Sequence, residues 1–178
     1  FRDKILTTMR TWEPSSHSLG FIWYAPDHVR SWRKDIYHQI GGHKEDLSIC
    51  DDHELMIRTY MVTKMHHIKK PLYVYRVTGD NTWLERNEKI QTETKRLFNE
   101  NAYALAERDA DLRGLLKVDI GGGLFPRPGY MTIDQEGADV NWDLNLGIPL
   151  EDNSVGVLNA SHIIEHLRDP IRTMSEIH

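Results

Sequence analysis

The tightest constraint on this chain lies between residues 115 and 134. LLKVDI (residues 115–120) is a short, mostly apolar run that passes directly into Gly121, Gly122 and Gly123. Such a run reads as a buried strand, and glycines at its end let the backbone approach a ligand that a Cβ would hold away. YMTID (residues 130–134) reads as a second strand, ending in the carboxylate of Asp134. A strand-end Asp suits a bidentate hydrogen bond to the two hydroxyls of a ribose. The obvious competitor is a dinucleotide-binding fold, which needs G-x-G-x-x-G and an acid about twenty residues further on. Here the third glycine position is Pro126, and Asp134 follows Gly121 by 13 residues, too few for the usual intervening helix. The dinucleotide reading fails on both counts.

Beyond Asp134 the pattern continues with NWDLNLGIPLEDNSVGVLNASHIIEHL (residues 141–167). It holds a third acidic position at Asp143, a buried strand at residues 155–159, and the expected start of a helix at Ser161 or His162. Taken in order, VDIGGG, GYMTID, DLNLGIPLEDNSV and ASHIIEHL resemble the methyltransferase type 11 family, a class I S-adenosylmethionine-dependent group. The resemblance covers about residues 115–178. It implies part of an α/β, Rossmann-like fold that binds S-adenosylmethionine. By that resemblance Gly121 and Gly123, with Gly122 between them, form the loop lining the methionine part of the cofactor, and Asp119 braces that loop. Asp134 holds the ribose hydroxyls, and Asp143 lies near the adenine. Two positions depart from the family pattern: Gly122 stands where a cysteine is common, and Gly156 where an Asp is usual. The second is expected to remove a surface carboxylate and leave cofactor binding intact. For Asp119 and Asp134 the plainer alternative is loop and strand-end capping.

Methyl transfer from a sulfonium is an in-line displacement, so positioning can supply much of the catalysis. A general base is needed only for a poorly ionised hydroxyl acceptor. His162 is the candidate, with Glu165 and His166 nearby at the cofactor end of the sheet. His162 and His166, four apart on one expected helix face, could also hold a metal. The plainer reading makes all three helix-start and packing residues, and no metal site is assigned.

Upstream, FIWYA (residues 21–25) reads as a strand, and residues 26–40 as a helical pattern closed by Gly41 and Gly42. DDHELMIRTYM, from Asp51, reads as a second helix whose opening carboxylates suit the helix dipole. LYVYRV (residues 72–77) reads as a strand and GDNT (residues 79–82) as a turn. RSWRKDIYHQIGG, CDDHELMIR and PLYVYRVTGDNT together resemble the C-terminal half of a family 2, GT-A glycosyltransferase. That resemblance places the base that deprotonates the attacking sugar hydroxyl on Asp52, with Asp51 beside it, and implies a nucleotide-sugar with a divalent metal. The alternative is that the two carboxylates only cap their helix. Thr78 stands where relatives often place a metal-binding histidine. His66 and His67 read as a polar strand edge, since adjacent strand residues face opposite ways.

Residues 85–108 form a charged helical pattern with one apolar stripe at Ile90, Leu97, Ala102 and Leu105, ended by Gly114, which reads as a packing face of a connector. The expected division is therefore 1–84, a partial glycosyltransferase-like segment; 85–114, a helical connector; and 115–178, a partial methyltransferase domain. Charge follows it. Residues 115–178 carry 4 Lys/Arg against 10 Asp/Glu, which repels a phosphate backbone and makes nucleic acid an unsuitable partner there. No run of 18 apolar residues exists, so no membrane span is expected. The single cysteine, Cys50, fits a reducing, cytoplasmic setting. Both ends read as cut. The expectation is a piece of a bifunctional glycan-modifying enzyme acting on a sugar or glycan acceptor, with little or no turnover from this segment alone. The alternatives are a methyltransferase with one activity, or a non-catalytic binding module that keeps the shape.

Overall fold

A computed structural model describes residues 8–20, 28–75 and 81–178. The chain divides into two compact units, Phe1–Leu105 and Ala106–His178. Among the described residues no helix is long and apolar enough to cross a membrane.

Among the described residues the first unit is helical. It comprises α1 (Ser16–Gly20), α2 (Lys34–Gln39), α3 (Asp51–Val62), α4 (Thr82–Glu85) and α5 (Asn87–Arg113) up to Leu105. α3 begins where expected. Its N-cap is Cys50, in the left-handed region with no side-chain cap bond, so Asp51, Asp52 and Glu54 in the first turn answer the helix dipole instead. Asp52 also accepts from the His53 backbone N–H at 2.8 Å. Leu19, Leu55, Met56, Ile57, Tyr60 and Leu97 are buried. Two expectations change here. The helical pattern over residues 26–40 yields only α2, and residues 72–75 form no strand. Among the described residues the first unit holds no strand for them to pair with, and Val74 stands 79% exposed. The strand expected at 21–25, residues 76–80 of LYVYRV and GDNT, and Thr78 all lie outside the described residues. His66 and His67 lie in an irregular segment and on no strand.

The long helix runs further than its apolar stripe suggests and stops at Gly114, where φ is +67°. Leu115 N–H returns to the Ala110 carbonyl at 2.9 Å and Gly114 N–H to that of Asp111 at 3.4 Å. This is the paired 6→1 and 5→2 ending that a left-handed residue after a helix makes available. The chain then turns straight into β1 (Leu116–Ile120).

The second unit is α/β. Its sheet contains β1, β2 (Met131–Asp134), β3 (Val140–Asn141) and β4 (Val155–Ala160), all parallel in the order β3-β2-β1-β4. On one face Val118, Ile120, Ile133 and Leu144 are buried beneath Leu158, Ile163, Leu167 and Ile177. On the other, Tyr130 and Val157 pack with Ala106, Ala110 and Leu115. The alternation of Val157 and Leu158 between the two clusters is what a strand covered on both faces requires.

Two further expectations are corrected. No helix starts at Ser161 or His162. A 3-10 turn at Ile164–His166 intervenes, and α6 (Pro170–Ile177) begins later. Pro170 occupies the first turn and the Asp169 carboxylate accepts from Arg172 N–H at 2.9 Å, a strong start signal that overrides the apolar spacing upstream. Gly156 is exposed on β4, but more than the loss of a surface carboxylate sets it there. A Cβ there would lie 2.6 Å from the Ala110 Cβ and 3.0 Å from its Cα, so β4 meets α5 too closely for any side chain.

Gly156→Ala should therefore cost about 1–3 kcal/mol, the usual range for overpacking. Ala110→Gly costs about 1 kcal/mol by itself as a helix glycine but removes the obstructing methyl. The double variant should be more stable in urea denaturation than the two single losses added together. Additive losses would mean that β4 and α5 do not touch there.

Candidate functional site

In an open parallel sheet, ligands sit outside the carboxyl ends of the strands where the strand order reverses. Here β1 is flanked by β2 on one side and β4 on the other, so the reversal lies at the ends of β1 and β4. Gly121, Gly122 and Gly123 leave β1 at this edge, Asp134 ends β2, and Ser161 and His162 leave β4.

The three glycines serve different ends. Gly121, at φ +67°, donates to the Ile133 carbonyl at 2.8 Å and so extends the β1–β2 ladder. Its missing side chain makes room for protein: a Cβ would lie 2.5 Å from Ile163 Cγ1. At Gly122 a Cβ would meet the Asp119 carboxylate at 2.8 Å and Pro126 Cα at 3.3 Å, so the cysteine common in the resembling family would be crowded. Gly123, at φ +53°, faces open space, and its N–H donates to Asp134 Oδ2 at 3.0 Å. Of the three, only Gly123 has no neighbour within 4 Å of where a Cβ would stand, and it lies beside the strand-end carboxylate.

Asp119 is buried, 2% exposed. Its Oδ2 accepts from Arg127 N–H and its Oδ1 from Asn159 Nδ2, both at 2.7 Å. The carboxylate therefore spans the loop's return and the neighbouring strand. Asp134 Oδ1 accepts from Gln135 N–H at 2.7 Å. Trp142 N–H donates to the Asp134 carbonyl at 2.7 Å, which brings the residues around Asp143 alongside the end of β2. Asp143 caps the 3-10 turn Leu144–Leu146. The Asn145 backbone N–H, then the Asn145 side chain, hold its carboxyl below the usual range.

His162 stands at the carboxyl end of β4 with φ +56° and a side chain 92% exposed. A non-glycine residue in the left-handed region is strained, and such strain gathers at functional sites. Its Nδ1 lies 3.5 Å from Glu165 Oε1. With no helix here, His162 and His166 do not share a helix face, so the geometry that would have paired them on a metal is absent. Among the described residues, no group of three His, Cys, Asp or Glu side chains is arranged to hold a metal ion.

In the first unit, Asp52 forms an ion pair with Arg30 at the start of α3. Burial alone would raise the Asp52 pKa, but the Arg30 charge and hydrogen bond, with the His53 N–H, hold it below the ordinary value. Asp51 lies 3.9 Å from His43 Nε2. Asp52 and the Asp134 edge belong to separate units.

Sequence reasoning missed several residues. Glu54 is buried under Arg58 and Lys44, and Arg58 also donates to the carbonyls of Ile40 and Gly42 at the end of α2. The spacing of Glu54 and Arg58, four apart, was its only signal. Asn159 and Ile163 carry no motif signal, since both act through strand register. His53 is fully buried, and its Nε2–H donates to the Leu19 carbonyl at 2.6 Å. Burial depresses its pKa, against a smaller opposing effect from the Leu19 bond. No family model, curated protein or solved structure matches this chain.

A depressed histidine stabilises the fold while neutral. That contribution is whole above about pH 6.5, the ordinary histidine value, and is lost as pH falls toward the lower folded value. The lowered carboxyls of Asp52 and Glu54 begin to lose their contribution only below about pH 5, so the range from 6.5 to 5 reports chiefly on His53. Protection factors of the α3 amides, taken against the intrinsic exchange rate at each pH, should fall over that range. His53→Gln, which can donate to Leu19 but takes up no proton, should flatten the dependence; an unaltered slope would assign it elsewhere.

Proposed function

We propose that the second unit carries an S-adenosylmethionine site of a methyltransferase, and that the chain belongs to a bifunctional enzyme that builds and methylates glycans. The observation that carries this reading is the approach of Gly123 N–H to the Asp134 carboxylate at the carboxyl edge of a parallel sheet. The residues suit the cofactor. Gly123 leaves open space, Asp134 can accept from two ribose hydroxyls, and the Asp143 segment lies against the end of β2. Bound S-adenosylmethionine supplies an electrophilic methyl group. The chain supplies orientation at the glycine bend and the strand-end acid, which is where most of the advantage in such a displacement lies. His162, solvent-facing at the same edge, is suited to take a proton from a sugar hydroxyl.

For the first unit, one observation favours glycosyl transfer: Asp52 is part-buried yet kept ionised by Arg30, as a carboxylate base must be. A nucleotide-sugar and its divalent metal would belong to that activity.

Calorimetry of the whole chain with S-adenosylmethionine tests the first claim. Micromolar binding is expected. Asp134→Ala should weaken it at least roughly tenfold, the scale of hydrogen bonds to a charged group. Asp143→Ala should weaken it less, since Asn145 already occupies one oxygen of that carboxylate. Absence of binding at about 1 mM, roughly −4 kcal/mol, would overturn the reading, as would an Asp134→Ala protein of unchanged affinity.

A further inference from the structure

We propose that Asn159 is a positioning residue of the methyl-donor site, setting the shape of the 121–127 loop through Asp119; the inference rests on the S-adenosylmethionine reading above. Asp119 is a carboxylate buried to 2% exposure, and among the described residues no cation pairs with it. A buried charge in that position is held only by the dipoles that reach it. Two do so. Arg127 N–H and Asn159 Nδ2 each donate at 2.7 Å, one to each oxygen.

The two donors differ in kind. Arg127 belongs to the loop itself, so its N–H is the element being held. Asn159 sits on β4, where it is the register partner of Asp119 across the β1–β4 pair. Its amide therefore fixes the carboxylate from a rigid strand, and the carboxylate passes that placement to the loop. The loop has little room to adjust. The Gly122 backbone is so close that a Cβ would lie 2.8 Å from Asp119 Oδ2, and Phe125 N–H closes onto the Gly122 carbonyl at 3.1 Å. A rotation of the Asp119 carboxylate would release the Arg127 N–H, and with it the loop that carries Gly123, whose N–H faces Asp134. A second tether, from the Arg127 guanidinium to Glu107 at 3.1 Å, holds the far end of the same loop but does not touch the carboxylate.

Two variants of the whole chain separate positioning from simple stability. Asn159→Leu keeps the side chain's branching at Cγ and removes the donor. Asn159→Asp sets two carboxylates side by side; they repel when both are ionised and can share a proton at lower pH. S-Adenosylmethionine affinity is measured by calorimetry at pH 7.5 and 5.5, and backbone amide exchange over residues 121–127 is measured without ligand. Asn159→Leu should weaken binding at least roughly tenfold at both pH values, with faster loop exchange and unaltered protection in β4. Asn159→Asp should be equally weak at pH 7.5 and recover most of its affinity and loop protection at pH 5.5, a slope the parent protein lacks. Loop exchange in Asn159→Leu equal to the parent's, or an Asn159→Asp protein equally impaired at both pH values, overturns the proposal. If Asn159→Leu does not fold, the pH response of Asn159→Asp decides alone. If the parent protein binds no S-adenosylmethionine, the cofactor reading falls, and the exchange measurements still decide whether Asn159 holds the loop.

Discussion

Parallel pairing governs the second unit. A parallel strand must be re-entered from the same end, so each connection has to travel back along the sheet. Every strand therefore releases its chain at one edge, and the polar groups that the chain needs there accumulate together. In this chain the edge collects a three-glycine bend, two carboxylates and an exposed histidine, drawn from segments far apart in sequence. β1 lies in the middle of the arrangement, buried and paired on both sides, and the site is organised around the point where it ends.

The buried carboxylate at the end of β1 shows how such an edge is kept in order. A charge removed from water demands donors, and the donors available are the returning loop and the adjacent strand. Satisfying the charge thus dictates the loop's path. The first unit follows the same logic with a different cast: a buried histidine reaches the Leu19 carbonyl in α1, and the Arg58 guanidinium gathers the carbonyls of Ile40 and Gly42 just beyond α2. In both units buried polar groups, as much as apolar area, specify which segments meet.

Much of the second unit is legible in sequence because its signals are local. β1 and β2 are apolar runs ended by glycine and by a carboxylate, β4 is an apolar run between serines, and the end of α5 is marked by Gly114. The adjacency of Gly123 and Asp134 follows once those strands are taken as neighbours. β3 is not legible, being two residues long and existing only through its pairing with β2. The helix expected at His162 fails because apolar spacing there reflects packing of Ile163 and Ile164 under a turn, while Asp169 and Pro170 hold the true start. Residues 72–75, the described part of the strand expected at 72–77, have the right composition, but composition cannot supply a partner. Asn159 lies beyond reach for a related reason: its importance is a matter of register, and register is a property of two strands together.

The short link between β1 and β2 has a consequence for where this fold can be cut. It contains no crossover helix, so the sheet face bearing Tyr130 and Val157 has no cover from the usual source. The last two turns of α5 provide it instead, through Ala106 and Ala110, before the chain reverses at Gly114. A truncation beginning at Leu115, where the sheet pattern first becomes visible, would strip that cover and leave Tyr130 and Val157 facing water. The smallest self-sufficient piece of this unit has to include the helical residues from about 106 onward, which makes the end of α5 an integral wall of the sheet domain.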